Sequence, residues 1–551
     1  MGAQPGAGGR AQRSLRAQAG GLRQGGRHRR GLPGGDRRRP NRRRHARGGD
    51  DRRGVPEDGR GDGRAGRGFR HDGPPLEPGI AGEVETYQAA WAAARSAAAG
   101  AAREWASRTG DELAGAIAEG AAADHSAESF DPAYERVAGL LLAGRSADDV
   151  GAGEEHRLLR ATLRDFAARR ITPRAQQIHR QDGDIPADVI SGIAGLGLFG
   201  LSIPEQYGGT LADRPDHVAM LIGTEEMAAG SLAVGGSLMT RPEILVRALL
   251  SAGTEEQKRR WLPGIASGEL LVAVAVSEPD FGSDVAALQC RATSQPDGSW
   301  LVNGAKLWCT FAGRAHLVML LCRTGGEPGH RGLSVFVAEK PSRLGHDFEH
   351  RIDSGGVLRG HAIPTLGYRG LHTFELVFED YRLPGSALVG EQGRGFYLQM
   401  ESFATGRLQT AARAVGVMQA ALRDTLAYTA QRRVFGRPVA EHELARAMLG
   451  RMGVRLHASR QLSFAAARLH DQGGGQVEAS LAKLYASRMA EYVTRDAMQL
   501  FGGMGYGEET DVSRYFVDAR VLAIFEGAEE VLALRVIGRS LEKAGDEMRK
   551  R

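Results

Sequence analysis

Residues 274–285, VAVSEPDFGSDV, mark the point where the periodicity of the chain changes from helical to strand-like. An apolar run over 270–276 ends in a polar turn that contains Pro and Gly. Short apolar runs rich in Val, Leu and Phe then follow, at 300–302, 307–310, 317–322, 333–338 and 373–378. Because no long helical pattern separates these runs, we predict an antiparallel β domain over 270–390 and not a βαβ array.

The sequence on either side of this region has helical periodicity. Residues 151–269 repeat apolar side chains at a period of 3.6, and we predict an N-terminal α domain that includes a helix over about 186–196 ending at Gly197. Residues 391–551 predict a C-terminal four-helix bundle, with long helices at about 393–431, 440–470, 475–501 and 526–545. The Ala-rich segment 76–150 predicts two or three further helices. The predicted fold class is therefore α+β, with the β domain against the helices.

The first 75 residues differ in composition from the other 476. They hold 20 Arg and seven acidic residues, a surplus of 13 positive charges, whereas the whole chain carries only +6 and the remainder is therefore net −7. With so few apolar residues, we expect a disordered tail. Three interpretations of this tail are open. It is idle sequence from a start site assigned too early, a nucleic-acid or polyanion-binding arm, or a mitochondrial transit peptide. The last is least favoured because the tail contains acidic residues. Turnover that survives deletion of 1–75 would indicate an idle tail.

Composition also argues against several classes of protein. The acidic globular part gives no reason to expect a nucleic-acid binder. No apolar stretch is long enough for a membrane span. Cys290, Cys309 and Cys322 show no metal or redox spacing, so we expect reduced thiols, a cytoplasmic location and no metal.

Two turns in the β region have residues that suit a flat heteroaromatic ring. After Val276, the hydroxyl of Ser277 and nearby strand-end N–H groups are able to hydrogen-bond such a ring, although an ordinary Pro/Gly turn explains the pattern equally. Asn303-Gly304 predicts a hairpin turn. Beyond it, Trp308 is interpreted either as core filling or as a cofactor contact, with Thr310 as a hydrogen-bonding neighbour.

Together, these turns resemble the flavin-contacting turns of the acyl-CoA dehydrogenase family. Further motifs of that family follow in the same order, at 403–407 (FATGR), 432–436 (RRVFG), 499–507 (QLFGGMGYG) and 524–528 (IFEGA). The resemblance extends over about 152–545, and several ordered motifs are far more specific than one.

The resemblance implies FAD as cofactor and an acyl-CoA thioester as substrate. Glu526 aligns with the family's catalytic base, which takes a proton from the carbon next to the thioester while a hydride from the following carbon passes to flavin N5. Desolvation of that carboxylate is expected to raise its pKa toward the working pH, with Phe525 as an apolar wall. The implied FAD contacts are Val276, Ser277, Ser283, Trp308, Thr310, Arg432, Phe435, Gln499 and Gly503. Ser283 and Arg407 are also implied substrate contacts.

The family resemblance further implies a homo-oligomer and a redox partner. Arg432, Phe435 and the Gln499–Gly503 turn are expected to reach the FAD of a neighbouring subunit in a dimer or tetramer, and electron-transfer flavoprotein is the expected acceptor. Four positions depart from the family's motifs. These departures place secondary contacts in doubt but keep the glutamate that aligns with the base. These are Ala404, Val434, Ala528 and Glu530.

The substrate is narrowed by a second, finer resemblance. The extension at 82–145, the segments 237–244 and 363–373 and the insert at 342–366 resemble methylsuccinyl-CoA dehydrogenases of the ethylmalonyl-CoA pathway, which oxidise (2S)-methylsuccinyl-CoA to mesaconyl-CoA. A buried second carboxylate needs cations or donors. The candidates are Arg241, Arg369, Tyr368 and His372, the arginines first, although each is equally interpreted as a surface or interface residue.

Other functions remain open at this point. One is the oxidation of a simple short-chain or branched acyl-CoA. Another is an acyl-CoA oxidase on the same fold, which is disfavoured because such enzymes usually continue well beyond the base. A non-enzymatic interaction protein that uses the basic tail is disfavoured by the intact motifs.

Overall fold

A computed structural model describes residues 78–124, 130–148, 153–211, 215–326, 329–353 and 355–550. The predicted tail at 1–75 lies outside the described residues. Within them the order of elements is helical, then β, then helical, which confirms the predicted α+β class.

Two or three helices were predicted for the segment 76–150, and its described residues form three. They are α1 (Pro78–Thr109), α2 (Glu112–Ala123) and α3 (Pro132–Leu142). Alanine favours helix throughout α1, and Asp111 and Asp131 cap α2 and α3 by accepting hydrogen bonds from backbone N–H groups of the first turns. The buried faces of these helices belong to the same core as the C-terminal helices.

Six helices form the region between this extension and the sheet. They are α4 (Glu154–Phe166), α5 (Thr172–Gln181), α6 (Ala187–Gly195), α7 (His217–Gly230), α8 (Thr240–Ala252) and α9 (Glu255–Ala266). A π-helical turn over Ala167–Ile171 joins α4 to α5 and places Pro173 in the first turn of α5, where no N–H is needed. The predicted C-cap at Gly197 has the expected positive φ of 74°.

The β region forms a sheet of nine strands. They are β1 (Val272–Ala275), β2 (Arg291–Ser294), β3 (Trp300–Thr310), β4 (Leu317–Arg323), β5 (Leu333–Glu339), β6 (Asp347–Arg351), β7 (Val357–Ile363), β8 (Thr373–Leu383) and β9 (Leu388–Val389). The prediction of a wholly antiparallel sheet is wrong in one respect. β1 pairs with β4 in parallel, and β2 meets β4 in parallel at one residue pair, because the β2–β3 hairpin intervenes between β1 and β4 in the chain.

The Asn303-Gly304 dipeptide is not a hairpin turn, which corrects the prediction. Both residues lie inside β3, where the pairing with β8 shifts register between Val302 and Gly304. Gly304 has a φ of 134°, and an added Cβ would lie 2.8 Å from the Cα of Cys290. Asn303 instead accepts a hydrogen bond from the backbone N–H of Asp380 at 2.8 Å. The dipeptide therefore forms a bulge, for which glycine has the required freedom.

The C-terminal region consists mainly of long helices. They are α10 (Gly395–Gln431), α11 (Glu443–Asp471), α12 (Gln476–Phe501), α13 (Gly503–Tyr506), α14 (Asp511–Leu522), α15 (Glu529–Val531) and α16 (Arg539–Lys550), with a short hairpin of β10 (Arg433–Val434) and β11 (Arg437–Pro438) after α10. Helix α14 was not predicted. A search of the described residues finds no helix with the length and hydropathy needed to cross a bilayer.

Candidate active site

Glu526 lies in the connection between α14 and α15, which has an unusual backbone. Glu526 has a φ of 54° and Gly527 a φ of 97°. Helix α12 fixes the connection, since Lys483 donates to the carbonyl of Gly527 at 2.6 Å and Ser487 donates to that of Leu522 at 3.1 Å. A left-handed conformation is costly for a glutamate and persists only where neighbours hold it, as is common at active sites.

The Glu526 carboxylate is engaged by two side chains of α10. Thr410 donates to one oxygen at 2.6 Å and Arg413 donates to the other at 2.8 Å, while only 11% of the glutamate side chain is exposed. Burial raises the pKa of Glu526, but the Arg413 and Arg241 guanidinium groups and these hydrogen bonds outweigh it, and the pKa is lowered overall. The expectation of a raised pKa is therefore wrong for this arrangement, because the arginine partners were not foreseen.

An aromatic and cationic wall surrounds this carboxylate. The Arg413 guanidinium lies 4.7 Å from the centre of the Phe525 ring, and the Phe525 and Tyr368 rings are nearly perpendicular, with their centres 5.6 Å apart. The Arg241 guanidinium lies over the Tyr368 ring, 5.7 Å from its centre. The Tyr368 hydroxyl is buried and makes no hydrogen bond within the described part of the chain. Phe525 thus forms the expected wall, and it carries a guanidinium on its face.

The four candidates for a second carboxylate do not share one place. Arg241 and Tyr368 belong to the wall beside Glu526. Arg369 donates to the carbonyls of Thr365 and His179, at 2.9 and 3.4 Å. His372 faces Asp182 and Asp184. Of the two arginines, only Arg241 is among the main charges that act on the Glu526 carboxylate.

Two more basic side chains lie near Glu526. Arg407, on α10 below Thr410, reaches Ser480 at 3.5 Å, and burial lowers its pKa although Glu526 opposes the shift. Burial lowers the pKa of Lys483 to about 7, against the raising effect of Glu526 and Glu529. Positive charge is thus concentrated on the α10–α12 side of the carboxylate, where it favours an anionic or polarised ligand.

The turn after β1 is held by a buried ion pair. Lys306 donates to the carbonyl of Val276 at 3.0 Å and to Glu278 at 2.8 Å, and Leu307 donates its N–H to the carbonyl of Ser277 at 2.8 Å. These contacts fix Val276 and Ser277 against β3, while Ser283 lies exposed further along the same turn.

Trp308 is placed by a second irregularity of β3. Its φ is 62°, at the break in pairing between Lys306 and Cys309, and 56% of the residue is exposed. Core filling is therefore wrong as an interpretation of Trp308. Thr310 is buried, with its hydroxyl 3.1 Å from that of Thr373. An exposed indole beside strand-end polar groups fits the edge and face of a flat ring.

The other predicted FAD contacts lie together at one end of the helical bundle. Tyr428 near the end of α10 stacks on Phe501 at the end of α12, with ring centres 4.1 Å apart. Arg432 and Phe435 follow the first helix and Gln499 and Gly503 flank the end of the second. All four are exposed, and Phe435 is 98% exposed with a φ of 48°.

Sequence reasoning missed Thr410, Arg413, Lys483 and the Glu278–Lys306 pair. A signal for the first two exists, because Gly406, Thr410 and Arg413 repeat at helical spacing along α10. Such spacing does not indicate which residue elsewhere in the chain contacts this face of α10. The partner, Glu526, is 113 residues from Arg413.

A flavin-dependent dehydrogenase needs a carboxylate close to a surface that suits a flat ring; the described residues offer Glu526, buried against the middle of α10, and the exposed indole of Trp308 on β3. Family models for the N-terminal, middle and C-terminal domains of acyl-CoA dehydrogenases match residues 153–269, 273–381 and 393–542. The chain belongs to the acyl-CoA dehydrogenase family, and is thus an oxidoreductase that acts on CH–CH groups.

Three relatives show the range of this similarity. (2S)-methylsuccinyl-CoA dehydrogenase of Cereibacter sphaeroides is 40% identical over 394 residues, which cover 71% of this chain and 70% of the relative. Butyryl-CoA dehydrogenase of Megasphaera elsdenii has a structure with a TM-score of 0.66 at 30% identity, over 71% of this chain and 99% of that one. Glutaryl-CoA dehydrogenase of Mycobacterium smegmatis, solved with FADH2, has a TM-score of 0.63 at 26% identity, over 71% of this chain and 95% of that one. The family is FAD-dependent.

Proposed function

We propose that this enzyme oxidises (2S)-methylsuccinyl-CoA to mesaconyl-CoA, with Glu526 as the base. The observation that carries the choice of a dicarboxylic substrate is Arg241. Its side chain is buried beside Glu526, and among the described residues its guanidinium makes a single hydrogen bond, to the Ser237 carbonyl at 2.8 Å. A buried guanidinium with spare donors suits a carboxylate, which it binds through two parallel hydrogen bonds.

Each residue of the site then has a defined task. Glu526 takes the proton from the carbon next to the thioester, and its own backbone N–H stabilises the charge that develops on the thioester oxygen. FAD, when bound, supplies the acceptor for the hydride. Arg241, with the free Tyr368 hydroxyl, binds the second carboxylate, and Arg413 and Thr410 orient the base.

The turn residues and the far end of the bundle are proposed to hold the cofactor. Val276, Ser277, Trp308 and Thr310 contact the ring system, and Ser283 lies near the substrate arm. The exposed Arg432, Phe435, Gln499 and Gly503 reach the FAD of another subunit, so the proposal includes a homodimer or homotetramer. Electron-transfer flavoprotein is the proposed acceptor.

Anaerobic bleaching of the flavin band tests the substrate. The FAD-loaded full chain is mixed in turn with methylsuccinyl-CoA, butyryl-CoA and isobutyryl-CoA. Fast bleaching by the first and slow bleaching by the others supports the proposal. Bleaching by simple acyl-CoAs alone keeps the dehydrogenase and rejects the dicarboxylic substrate, in favour of the activity named for the Megasphaera relative.

A pair of arginine variants tests the binding site. Arg241→Met is expected to reduce the preference for methylsuccinyl-CoA over butyryl-CoA by about 100-fold, since loss of one partner of a buried charge pair costs about 2–5 kcal/mol. Arg369→Met is the matched control, because Arg369 was the other candidate arginine and, among the described residues, donates hydrogen bonds only to backbone carbonyls. An unchanged preference in Arg241→Met would assign the carboxylate elsewhere.

A further inference from the structure

Two histidines and two aspartates meet at a place remote in sequence from the base. Asp182 and Asp184 lie between α5 and α6, His346 lies just before β6, and His372 just before β8. One ligand atom from each of Asp182, His346 and His372 lies within 4.8 Å of the other two. The cluster therefore joins the N-terminal helices to two separate parts of the sheet.

The distances within the cluster are short. His346 Nε2 is 3.1 Å from one oxygen of Asp182, and His372 Nδ1 is 3.6 Å from the other. The two imidazole rings have their centres 4.2 Å apart. Both nitrogens thus converge on a single carboxylate.

His372 also has a second partner behind it. Its side chain is only 3% exposed, and its Nε2 makes no hydrogen bond among the described residues but lies 3.5 Å from Asp184. Asp184 is itself oriented by the N–H of Gly345 at 3.0 Å. A carboxylate behind the remote nitrogen of an imidazole is the usual support of a metal-ligating histidine.

The backbone at two of these positions is strained. Asp182 has a φ of 48° and His372 a φ of 44°. Non-glycine residues in this region cost of order 1 kcal/mol or more each and concentrate at functional sites. Asp182 ends α5, which accounts for its conformation locally. His372 has no such helix end, and its conformation turns the imidazole toward the aspartates.

We propose that Asp182, His346 and His372 bind a divalent transition-metal ion such as Zn²⁺. Two imidazole nitrogens and one carboxylate oxygen suit such an ion and leave a position for water. Tetrahedral Zn²⁺ places its ligand atoms about 3.3 Å apart. The His346 side chain is half exposed, so a small inward rotation that replaces its contact with Asp182 by the metal would close the present spacing.

The charge balance of the place favours a cation. Asp182 and Asp184 are opposed by Arg314, whose guanidinium acts on His372 and donates to the carbonyl of Ile185 at 3.0 Å. If both histidines are neutral, the two aspartates and Arg314 sum to a net charge of −1, and a bound divalent ion changes that charge to +1.

The ion would have a structural effect and takes no part in the oxidation. Thr373 follows His372, and its hydroxyl is 3.1 Å from that of Thr310 on the proposed flavin-contacting strand. Fixing His372 therefore stabilises the connection between the helices and that strand. The proposal stands whatever acyl-CoA is the substrate.

The FAD-loaded full chain is first treated with a chelator and then titrated with ZnCl2 in a calorimeter. A parallel titration with Mg²⁺, which should not bind, is the negative control. His346→Ala and His372→Ala are expected to weaken Zn²⁺ binding at least about 100-fold, and Asp184→Asn about 10- to 100-fold through the supporting contact. His361→Ala is the matched control. His361 pairs with Asp347 at 2.6 Å on the same hairpin but lies outside the cluster, so its loss is expected to leave binding unchanged.

Two outcomes would overturn the proposal. One is a wild-type chain that binds no Zn²⁺, and the other is binding that all variants retain, which would assign the ion to another place. His346→Ala keeps the test valid if His372→Ala fails to fold, since His346 is half exposed. Flavin absorbance of each variant shows whether it has folded.

Discussion

At the residue scale, the contact between Glu526 and Arg413 has two opposite consequences. It gives the Glu526 carboxylate a defined orientation, and it lowers the pKa of the group that is proposed to accept the proton. In the proposed mechanism a weaker base is acceptable, because the backbone N–H of Glu526 also stabilises the charge that develops on the thioester oxygen. Orientation and basicity are therefore balanced at one pair of side chains.

The variant Arg413→Gln separates these two effects. Loss of the guanidinium removes the largest lowering influence on the pKa of Glu526, so that pKa rises. The base is active when ionised, and the acid limb of the rate of flavin reduction should therefore move to higher pH. Stopped-flow bleaching across pH measures the shift. Arg423→Gln, an exposed arginine on the same helix, is the control, and an unshifted limb in Arg413→Gln would contradict this role.

The variant Glu526→Gln removes the base and keeps its size. Flavin content should remain that of the wild type, because no proposed cofactor contact uses the carboxylate. Bleaching by the acyl-CoA should fall at least about 10³-fold, within the range that general-base catalysis contributes. Turnover at the wild-type rate would reject Glu526 as the base.

Site residues could be predicted from the sequence where they stand in a contiguous motif, and not where they act through contacts between distant parts of the chain. Glu526, Trp308 and Ser277 stand in contiguous motifs and were predicted as site residues. Arg413 and Lys483 act through side chains that reach Glu526 or Gly527 from distant helices, and no local pattern indicates such contacts. Among the predicted substrate contacts, the structure places Arg241, Tyr368 and Arg407 near Glu526.

At the scale of elements, α1 is attached to the segment that carries the base. Tyr87 on α1 donates to Glu529 at 3.0 Å, and Arg488 on α12 contacts both residues. The Arg488 guanidinium also lies over the ring of Trp91, 5.0 Å from its centre. Glu529 begins α15, three residues after the base. The extension therefore contacts the segment that carries the proposed base, which composition alone did not indicate.

The variant Tyr87→Phe tests this support. It removes the hydroxyl that bonds Glu529 and is expected to cost about 1.5–3 kcal/mol, the range for a hydrogen bond to a charged group. If the contact positions the base, kcat should fall several-fold with KM little changed, in addition to a lower Tm. Tyr397→Phe, a tyrosine outside this contact, is the control. A lower Tm with an unchanged kcat would leave the contact a stabilising one only.

Elements were predicted well where burial and periodicity agree. The long helices and the strands β1, β4 and β5 have continuous apolar patterns. β6, with the sequence DFEHR, is largely exposed and reads as a loop, so the insert at 342–366 was not recognised as the hairpin β6–β7. The Asn303-Gly304 bulge was misread because the same dipeptide favours both a turn and a bulge.

At the scale of the whole molecule, the extension and the C-terminal helices share a single core. An added Cβ at Gly450 of α11 would lie 1.8 Å from the carbonyl oxygen of Tyr134 of α3, so these helices approach at backbone distance. Between them, Arg455 of α11 donates to both oxygens of Asp124, at 2.9 and 2.8 Å, and the pair is buried. The sequence predicted extra helices but not where they dock, because docking is specified by such distant pairs.

The variant Asp124→Asn measures how firmly the extension is attached. Removing one charge of a buried ion pair leaves the other in a poorly solvated place and typically costs about 3–5 kcal/mol. Urea unfolding should show this loss as a lower transition midpoint. The matched control is Glu119→Gln, which removes the partner of Arg136 in an exposed pair of the same extension, where a loss below about 1 kcal/mol is expected. If both variants unfold at the same urea concentration, the Asp124–Arg455 pair does not anchor the extension, and its attachment rests on the apolar contacts of α1–α3.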